Sequence, residues 1–326
     1  MKAFSVCALG ESLIDFTPCG KSSKGMPVYE CNPGGAVANV LAAVNKLGGK
    51  GAFIGKVGDD TFGRFLTDNM KAAGINLKGL CIDREIPTTL AFVSLNSSGD
   101  RSFSFYRKPG ADIMLSVDDI DRSILSECDI FHFGSVSLTD DPARTATLES
   151  AKEAKRNGAV ISYDPNYRPL LWKSTEEACK IMKEGAYLAD IIKVSDEELQ
   201  LITGSDSLEE GADLLMETGA SIVFVSMGQR GSFVKNETAS VRLNTYDVKT
   251  VDTTGAGDAF LGSVLSKLHG MSCEKLSSLS EPELWDILDY GNAAGALTTA
   301  KTGAAPAIPT DEEIEICRKT VGKLVI

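Results

Sequence analysis

A chain of 326 residues, 43% hydrophobic and 24% charged, has the make-up of a folded globular protein and is long enough for one α/β unit with an appendage. A net charge of −12 with no Lys/Arg cluster excludes a basic nucleic-acid surface, so an anionic ligand must be met by a few local cations and backbone N–H groups. No apolar run reaches membrane-spanning length, no C-x-x-C pair occurs among the eight cysteines, and the two histidines, His132 and His269, make no zinc motif; this reads as a cytoplasmic protein with reduced thiols, in which acid–base chemistry falls to carboxylates.

In chain order, the opening "MKAFSVCALGESLIDF" lacks a small-residue cleavage site, and its residues 4–10 read as a first buried strand. Residues 15–33 mix Pro, Gly, Ser and Lys between short extended pieces. "NPGGAVANVLAAVNKLG" (32–48) sets Gly34 and Gly35 before a helix whose Val37, Val40, Leu41, Val44 and Leu47 make one apolar stripe. Those glycines serve either as a flexible helix start or as a hinge that turns Asn39 toward a polyol. "GAFIGKVG" (51–58) is a second strand and leads into "KVGDDTFG" (56–63), a turn with an acidic pair. Residues 87–107 read as a hairpin that turns at "NSSGD" and continues into "RSFSF" with period two.

Further strands follow in "DIFHFGS" (129–135), "AVISYDPN" (159–166), "DIIKVS" (190–195) and "SIVFVSMG" (221–228). Helical stretches separate most of them, such as "PARTATLESAKEAKRNG" (142–158), which opens on Pro and closes on Gly. Near-continuous apolar strands alternating with helices predict an α/β fold whose mainly parallel central sheet is covered by helices on both faces. The insertions at about 15–33 and 87–110 predict a small β-sheet over one rim of a single domain spanning 1–326. Ligands of such sheets bind beyond the carboxyl ends of the strands, where Asp15, Asp59, Asp164, Asn166, Ser195 and Gly228 are expected to converge.

The segment "VDTTGAGDAF" (251–260) carries the most chemistry. Phe260, Leu261, Val264, Leu265 and Leu268 follow it at helical spacing, so Gly255, Ala256 and Gly257 sit at a helix N-terminus, where free N–H groups and the dipole favour an anion. Asp258 in the first turn is either a cap or a base that takes a proton from a hydroxyl attacking a phosphoryl group. The dipole is expected to keep its pKa low, which a loose phosphoryl transfer tolerates. In "YDPNYRPLLW" (163–172) two prolines fix the chain, and Arg168 is either a cation at the ligand rim or a solvent-facing arginine. "NAAGALTTAKTGAAPAIP" (292–309) makes either a flat slot for a nucleotide base or a close helix contact.

Six motifs in order, "GESLIDF", "PGGAVANV", "KVGDDTFG", "DPNYRPLLW", "KVSDEEL" and "DTTGAGDAF", resemble the ribokinase-type (PfkB) carbohydrate kinases of the fructokinase-like branch, from about residue 5 to about residue 310. The resemblance implies phosphorylation of a sugar hydroxyl by ATP with Mg²⁺. It implies Asp258 as base, an anion hole at Gly255, Ala256 and Gly257, and sugar positions at Asp15, Gly34, Gly35 and Asn39, to which Tyr106, Arg107 and Arg168 are added as sugar-site candidates. Ser195, Ser226, Gly228, Gly231 and Asn292 fall at nucleotide-site positions, Glu198 at that of a residue ordering water around Mg²⁺, and Asp252 and Thr254 at a monovalent-cation site for K⁺. Ser195 departs from the family, which has asparagine there. The resemblance also implies that the small sheet is a lid that closes on sugar and pairs two subunits as a homodimer. Fructose is the expected substrate, because Asp15 suits a neutral polyol; a sugar acid such as 2-keto-3-deoxygluconate would need Arg107 or Arg168 at its carboxylate. A non-enzymatic module of the same fold is a third reading, against which the intact Asp258 and glycine turn count.

Overall fold

The computed structural model describes residues 2–95 and 101–325; the expected "NSSGD" turn at 96–100 lies outside them. The strands are β1 (Phe4–Leu9), β2 (Leu13–Lys21), β3 (Pro27–Gly34), β4 (Gly51–Gly58), β5 (Asn76–Asp83), β6 (Leu90–Leu95), β7 (Arg101–Tyr106), β8 (Cys128–Gly134), β9 (Val160–Asp164), β10 (Ile191–Ser195), β11 (Ile222–Ser226), β12 (Ser232–Asn236) and β13 (Ser240–Leu243). The helices are α1 (Ala36–Lys46), α2 (Thr61–Ala72), α3 (Arg122–Ser126), α4 (Ala143–Arg156), α5 (Thr175–Ala186), α6 (Asp196–Thr203), α7 (Leu208–Met216), α8 (Ala256–Leu268), α9 (Cys273–Ser277), α10 (Glu281–Thr299) and α11 (Asp311–Thr320).

Among the described residues, nine strands form one sheet in the order β13-β12-β11-β10-β9-β8-β1-β4-β5. It is parallel from β11 to β5, and β12 runs antiparallel to both of its neighbours. The predicted mainly parallel sheet is therefore present, and all six apolar runs are strands of it. From β1 the chain passes to β4 and β5 on one side and then returns to β8 on the other, so the order reverses at β1. A second sheet, β3-β2-β6-β7, is built from the two predicted insertions.

Side chains alternate along the large sheet and feed two cores. Ile161, Tyr163, Ile192 and Val194 pack with α4 to α7, whereas Val160, Ile191 and Phe224 pack with α1, α8 and α10. Helices thus cover both faces, as near-continuous apolar strands require.

Helix α8 is held between two neighbours by residues with no side chain. A Cβ at Gly262 would lie 2.5 Å from the Ala43 Cβ and 2.6 Å from the Val40 carbonyl of α1; one at Gly291 of α10 would lie 2.8 Å from the Phe260 ring. One helical turn from the Gly262–Ala43 contact, on each helix, sit Asp258 and Asn39. The close crossing of α1 and α8 therefore sets the distance between those two side chains. Gly262→Ala is expected to lose about 1–3 kcal/mol in urea unfolding through overpacking. Unchanged stability would mean that the two helices can part freely.

Candidate functional site

The turn before α8 needs its glycine. Gly255 has φ 76°, and a Cβ there would lie 2.6 Å from the Ala304 Cβ. Amide groups of this first helical turn have no partner within the helix; the Ala256 N–H leans on the Thr253 carbonyl at 3.3 Å. Asp258 is buried below the turn. Its Oδ2 accepts from Asn39 Nδ2 at 2.8 Å and its Oδ1 from Asn166 Nδ2 at 3.3 Å. The expectation of a low pKa is overturned. Burial dominates, and with the nearby Asp164 carboxylate it raises Asp258 to about 6 despite the Asn39 hydrogen bond, Lys193 and Arg168. The dipole favours an anion, but a carboxylate stripped of water loses more than the dipole returns.

Asp15 lies on β2, and burial raises it too to about 6, with Arg168 opposing. A Cβ at Gly34 would sit 2.3 Å from Asp15 Oδ2, so glycine there leaves room for this carboxylate. Gly35 has φ 122°, and a Cβ on it would strike the Glu11 carbonyl at 2.4 Å. Glu11, which the sequence reading missed, accepts from the Ala36 amide at 2.8 Å and so caps α1; burial pushes it up to about 7. Its signal was a carboxylate in the otherwise uncharged stretch "GESLI". Asn39, expected to face a polyol, donates its side-chain amide to Asp258.

Of the candidate cations, Arg107 is corrected. Its guanidinium is buried, with Nε 2.8 Å from Asp112 Oδ2, Nη1 2.7 Å from Thr139 Oγ1 and Nη2 3.1 Å from the Val136 carbonyl. The charge is matched by Asp112 and is not presented to a ligand. Arg168 is exposed, donates to the carbonyls of Asn166 and Tyr167, and acts electrostatically on both Asp15 and Asp258. Tyr106 is also exposed and stands edge-on to Phe92 at 5.5 Å.

Along the neighbouring strand ends, Ser195 caps α6 and Ser226 closes β11. Gly228 and Gly231 follow with φ 56° and 83°; a Cβ at Gly231 would lie only 1.9 Å from the Leu243 carbonyl. Buried Asn292 accepts from Ser232 Oγ at 2.8 Å, while its Nδ2 has no partner. Glu198 takes the Tyr167 amide on one oxygen and the Ser195 amide on the other, both at 2.7 Å, tying the loop after β9 to α6. Asp252 accepts from Thr254 N and Oγ1 at 3.0 and 2.7 Å and from the Gly303 amide at 3.1 Å. Asp59 does not join the site: it pairs with Arg64 on exposed surface, while Asp60 caps α2. No group of three or more His, Cys, Asp or Glu side chains that could hold a metal occurs among the described residues, and none of their helices is long and apolar enough to cross a membrane.

A second residue that the sequence reading missed, Lys193, lies beneath the turn. Lys193 and Asp164 form a buried ion pair at 2.8 Å, and Lys193 Nζ lies 3.3 Å from where a Gly257 Cβ would stand. The signal was a lysine inside an apolar strand, "DIIKVS".

Ionising Asp258 costs the folded state free energy, because its folded pKa is raised. That cost is absent below the unfolded value of 3.8 and complete above about 6. Asp258→Asn is therefore expected to melt higher than wild type at pH 8, by up to about 3 kcal/mol, and no higher at pH 4. An equal effect at both values would rule out a raised pKa.

Beyond this geometry, the model of the pfkB family carbohydrate kinases matches residues 3–311. Fructokinase-2 of Solanum lycopersicum is 42% identical over 311 residues, 94% of each chain. The solved fructokinase with bound ATP from Xylella fastidiosa aligns at TM-score 0.89 and 32% identity, covering 97% of this chain and 98% of that one. A double-mutant fructokinase from Vibrio cholerae O395, solved with fructose, ADP and potassium ion, aligns at TM-score 0.85 and 31% identity over 97% and 99% of the two chains. A match of this extent, over a fold with the same large sheet and small sheet, means that the chain belongs to the pfkB family of carbohydrate kinases and is a sugar phosphotransferase.

Proposed function

We propose that the protein is a fructokinase, which transfers the γ-phosphate of ATP to a hydroxyl of fructose and yields fructose 6-phosphate and ADP. The observation that carries the reading is Asp258: a buried carboxylate, raised to about 6, in the first turn of a helix whose N-terminus is a glycine turn. A carboxylate with that pKa is ionised at neutral pH and a better proton acceptor than an ordinary aspartate. The attacking hydroxyl oxygen bonds to the γ-phosphorus, the bond to the β,γ-bridging oxygen breaks, and the hydroxyl proton passes to Asp258. Amides at Gly255, Ala256 and Gly257 bind the equatorial oxygens as charge spreads over them.

Asp15, whose carboxylate Gly34 leaves room for, and Arg168 take part in holding the sugar. The unpartnered Nδ2 of Asn292 is a donor suited to a nucleotide. Mg²⁺ would arrive on the triphosphate and neutralise its charge; Glu198, whose oxygens each keep a lone pair, would meet it through water. Asp252 and Thr254 would face K⁺. The small sheet acts as a lid on the sugar, and its exposed Val28 and Tyr29, with Met26 just before β3, form the contact of a homodimer.

The burial of Arg107 against Asp112 favours a neutral sugar over a sugar acid. It leaves Arg168 as the sugar-site cation, beside Asp15, whose ionised form repels a carboxylate. With saturating MgATP, kcat/KM for fructose is expected to exceed that for 2-keto-3-deoxygluconate by about tenfold or more, since one misplaced charge is worth at least that factor. A higher value for the acid would replace the reading with a sugar-acid kinase. Asp258→Asn is expected to lower kcat about 100-fold or more with little change in KM for ATP. The wild-type rate should fall on acidification through about pH 6, where Asp258 and Asp15 take up protons. A flat profile from pH 5 to 8 would remove Asp258 as base.

A further inference from the structure

Beneath the glycine turn, β8, β9 and β10 present polar side chains to the face that α1 and α8 cover. His132 stands opposite Ser162, and its Nδ1 lies 3.0 Å from Ser162 Oγ. One step along, Lys193 Nζ donates to Asp164 Oδ2 at 2.8 Å. Asp164 and Lys193 are 3% and 7% exposed in their side chains, so neither charge is solvated by water. Such a pair is costly to bury and contributes little net stability relative to an apolar pair. Its geometry points elsewhere. The other oxygen of Asp164, Oδ1, accepts the Asn166 amide at 3.1 Å. Asn166 is held at φ 47°, a left-handed conformation, and from there its Nδ2 reaches Asp258 Oδ1. Lys193 Nζ meanwhile lies against Gly257, inside the turn that precedes Asp258.

We infer that Asp164 and Lys193 are a positioning pair for Asp258. Asp164 fixes the turn that holds Asn166 on the Asp258 carboxylate, and Lys193 sets a buried positive charge under Gly257 that offsets Asp164. The two act on Asp258 with opposite sign: Asp164 raises its pKa and Lys193 lowers it. The remaining groups around Asp258 are Asn39 from α1 and Asn166 and Arg168 from the loop after β9. Glu198 acts on Lys193, which burial would depress but which Asp164, Glu198 and Asp258 together hold raised, hence charged. His132 adds no charge, because burial and Lys193 drive it down to about 3.

The pair is tested on the free protein by following the Asp258 carboxyl in a ¹³C NMR pH titration, its resonance assigned by its absence from Asp258→Asn. Lys193→Met is expected to move the midpoint up by about one pH unit and Asp164→Asn down by a similar amount, as loss of one nearby charge of either sign requires. The double variant, in which the buried pair is neutral, is expected to return close to wild type. If Lys193→Met does not fold, Asp164→Asn and the double variant decide. Midpoints that stay put, or that move the same way in all variants, overturn the inference, since a merely structural pair would change melting and not the direction of titration. A second arm rests on the fructokinase reading: the double variant should lose about tenfold or more in kcat with KM for fructose within about threefold, because Asn166 is then held less firmly. If wild type does not phosphorylate fructose, that reading falls, and the titration still decides the pair.

Discussion

The close crossing of α1 over α8 is the constraint on which the site depends. Two glycines, Gly262 on α8 and Gly291 on α10, let three helices approach closer than side chains allow, and the α1 crossing brings Asn39 within 2.8 Å of Asp258. The contact joins residues 219 positions apart. It also fixes how deep Asp258 lies, because α1 roofs the carboxylate. Depth then fixes acidity: burial is the largest influence on Asp258, ahead of every neighbouring charge. Packing between two helices thus sets the basicity of a side chain in the first turn of one of them.

A helix N-terminus lowers a nearby carboxylate when that group stays partly wet and the free amides reach it. Asp60 behaves so at the start of α2, where burial would raise a partly exposed carboxylate but hydrogen bonds from the Thr88, Gly63 and Phe62 amides and the Thr88 hydroxyl together hold it low. Asp258 occupies the same kind of position but receives two side-chain amides and almost no water. Two aspartates at helix starts therefore diverge in acidity because one is capped at the surface and the other is roofed.

Much of this was legible in the residues. The six apolar runs are strands because each is near-continuous and bounded by turn residues, and the two insertions differ in texture from the α/β repeat. "GAGD" announced a helix start. What was not legible depends on contacts far apart in sequence. Nothing in "SFYRKPGAD" shows that Arg107 folds back onto Asp112, since the pairing also needs Thr139 and Val136 from the β8 end. Lys193 looked like an anomaly in a strand; its partner Asp164 becomes visible only once β9 and β10 are neighbours. Glu198 had a local signal, as the fourth residue of "SDEE" fits a capping box, but its second bond, to the Tyr167 amide, is again long-range.

An acidic chain that is to bind a polyphosphate must concentrate its few positive features where the phosphates lie. Here the arrangement is a helix N-terminus with one buried lysine beneath it and one exposed arginine at its flank. Each of these is matched by a carboxylate: Lys193 by Asp164, and Arg168 by the nearby Asp15 and Asp258. With two cations against three carboxylates the site is slightly negative before any ligand arrives, so neither cation is left without a partner. On the proposed reading a neutral sugar preserves that balance, and the negative charge of the triphosphate is met by amides and by the metal that accompanies it. A substrate carrying its own carboxylate would add a charge to be met by Arg168 alone, which already faces Asp15 and Asp258, since Arg107 is committed to Asp112. On the proposed reading, the charge balance around Asp15, Arg168 and Asp258 thus argues for a neutral sugar.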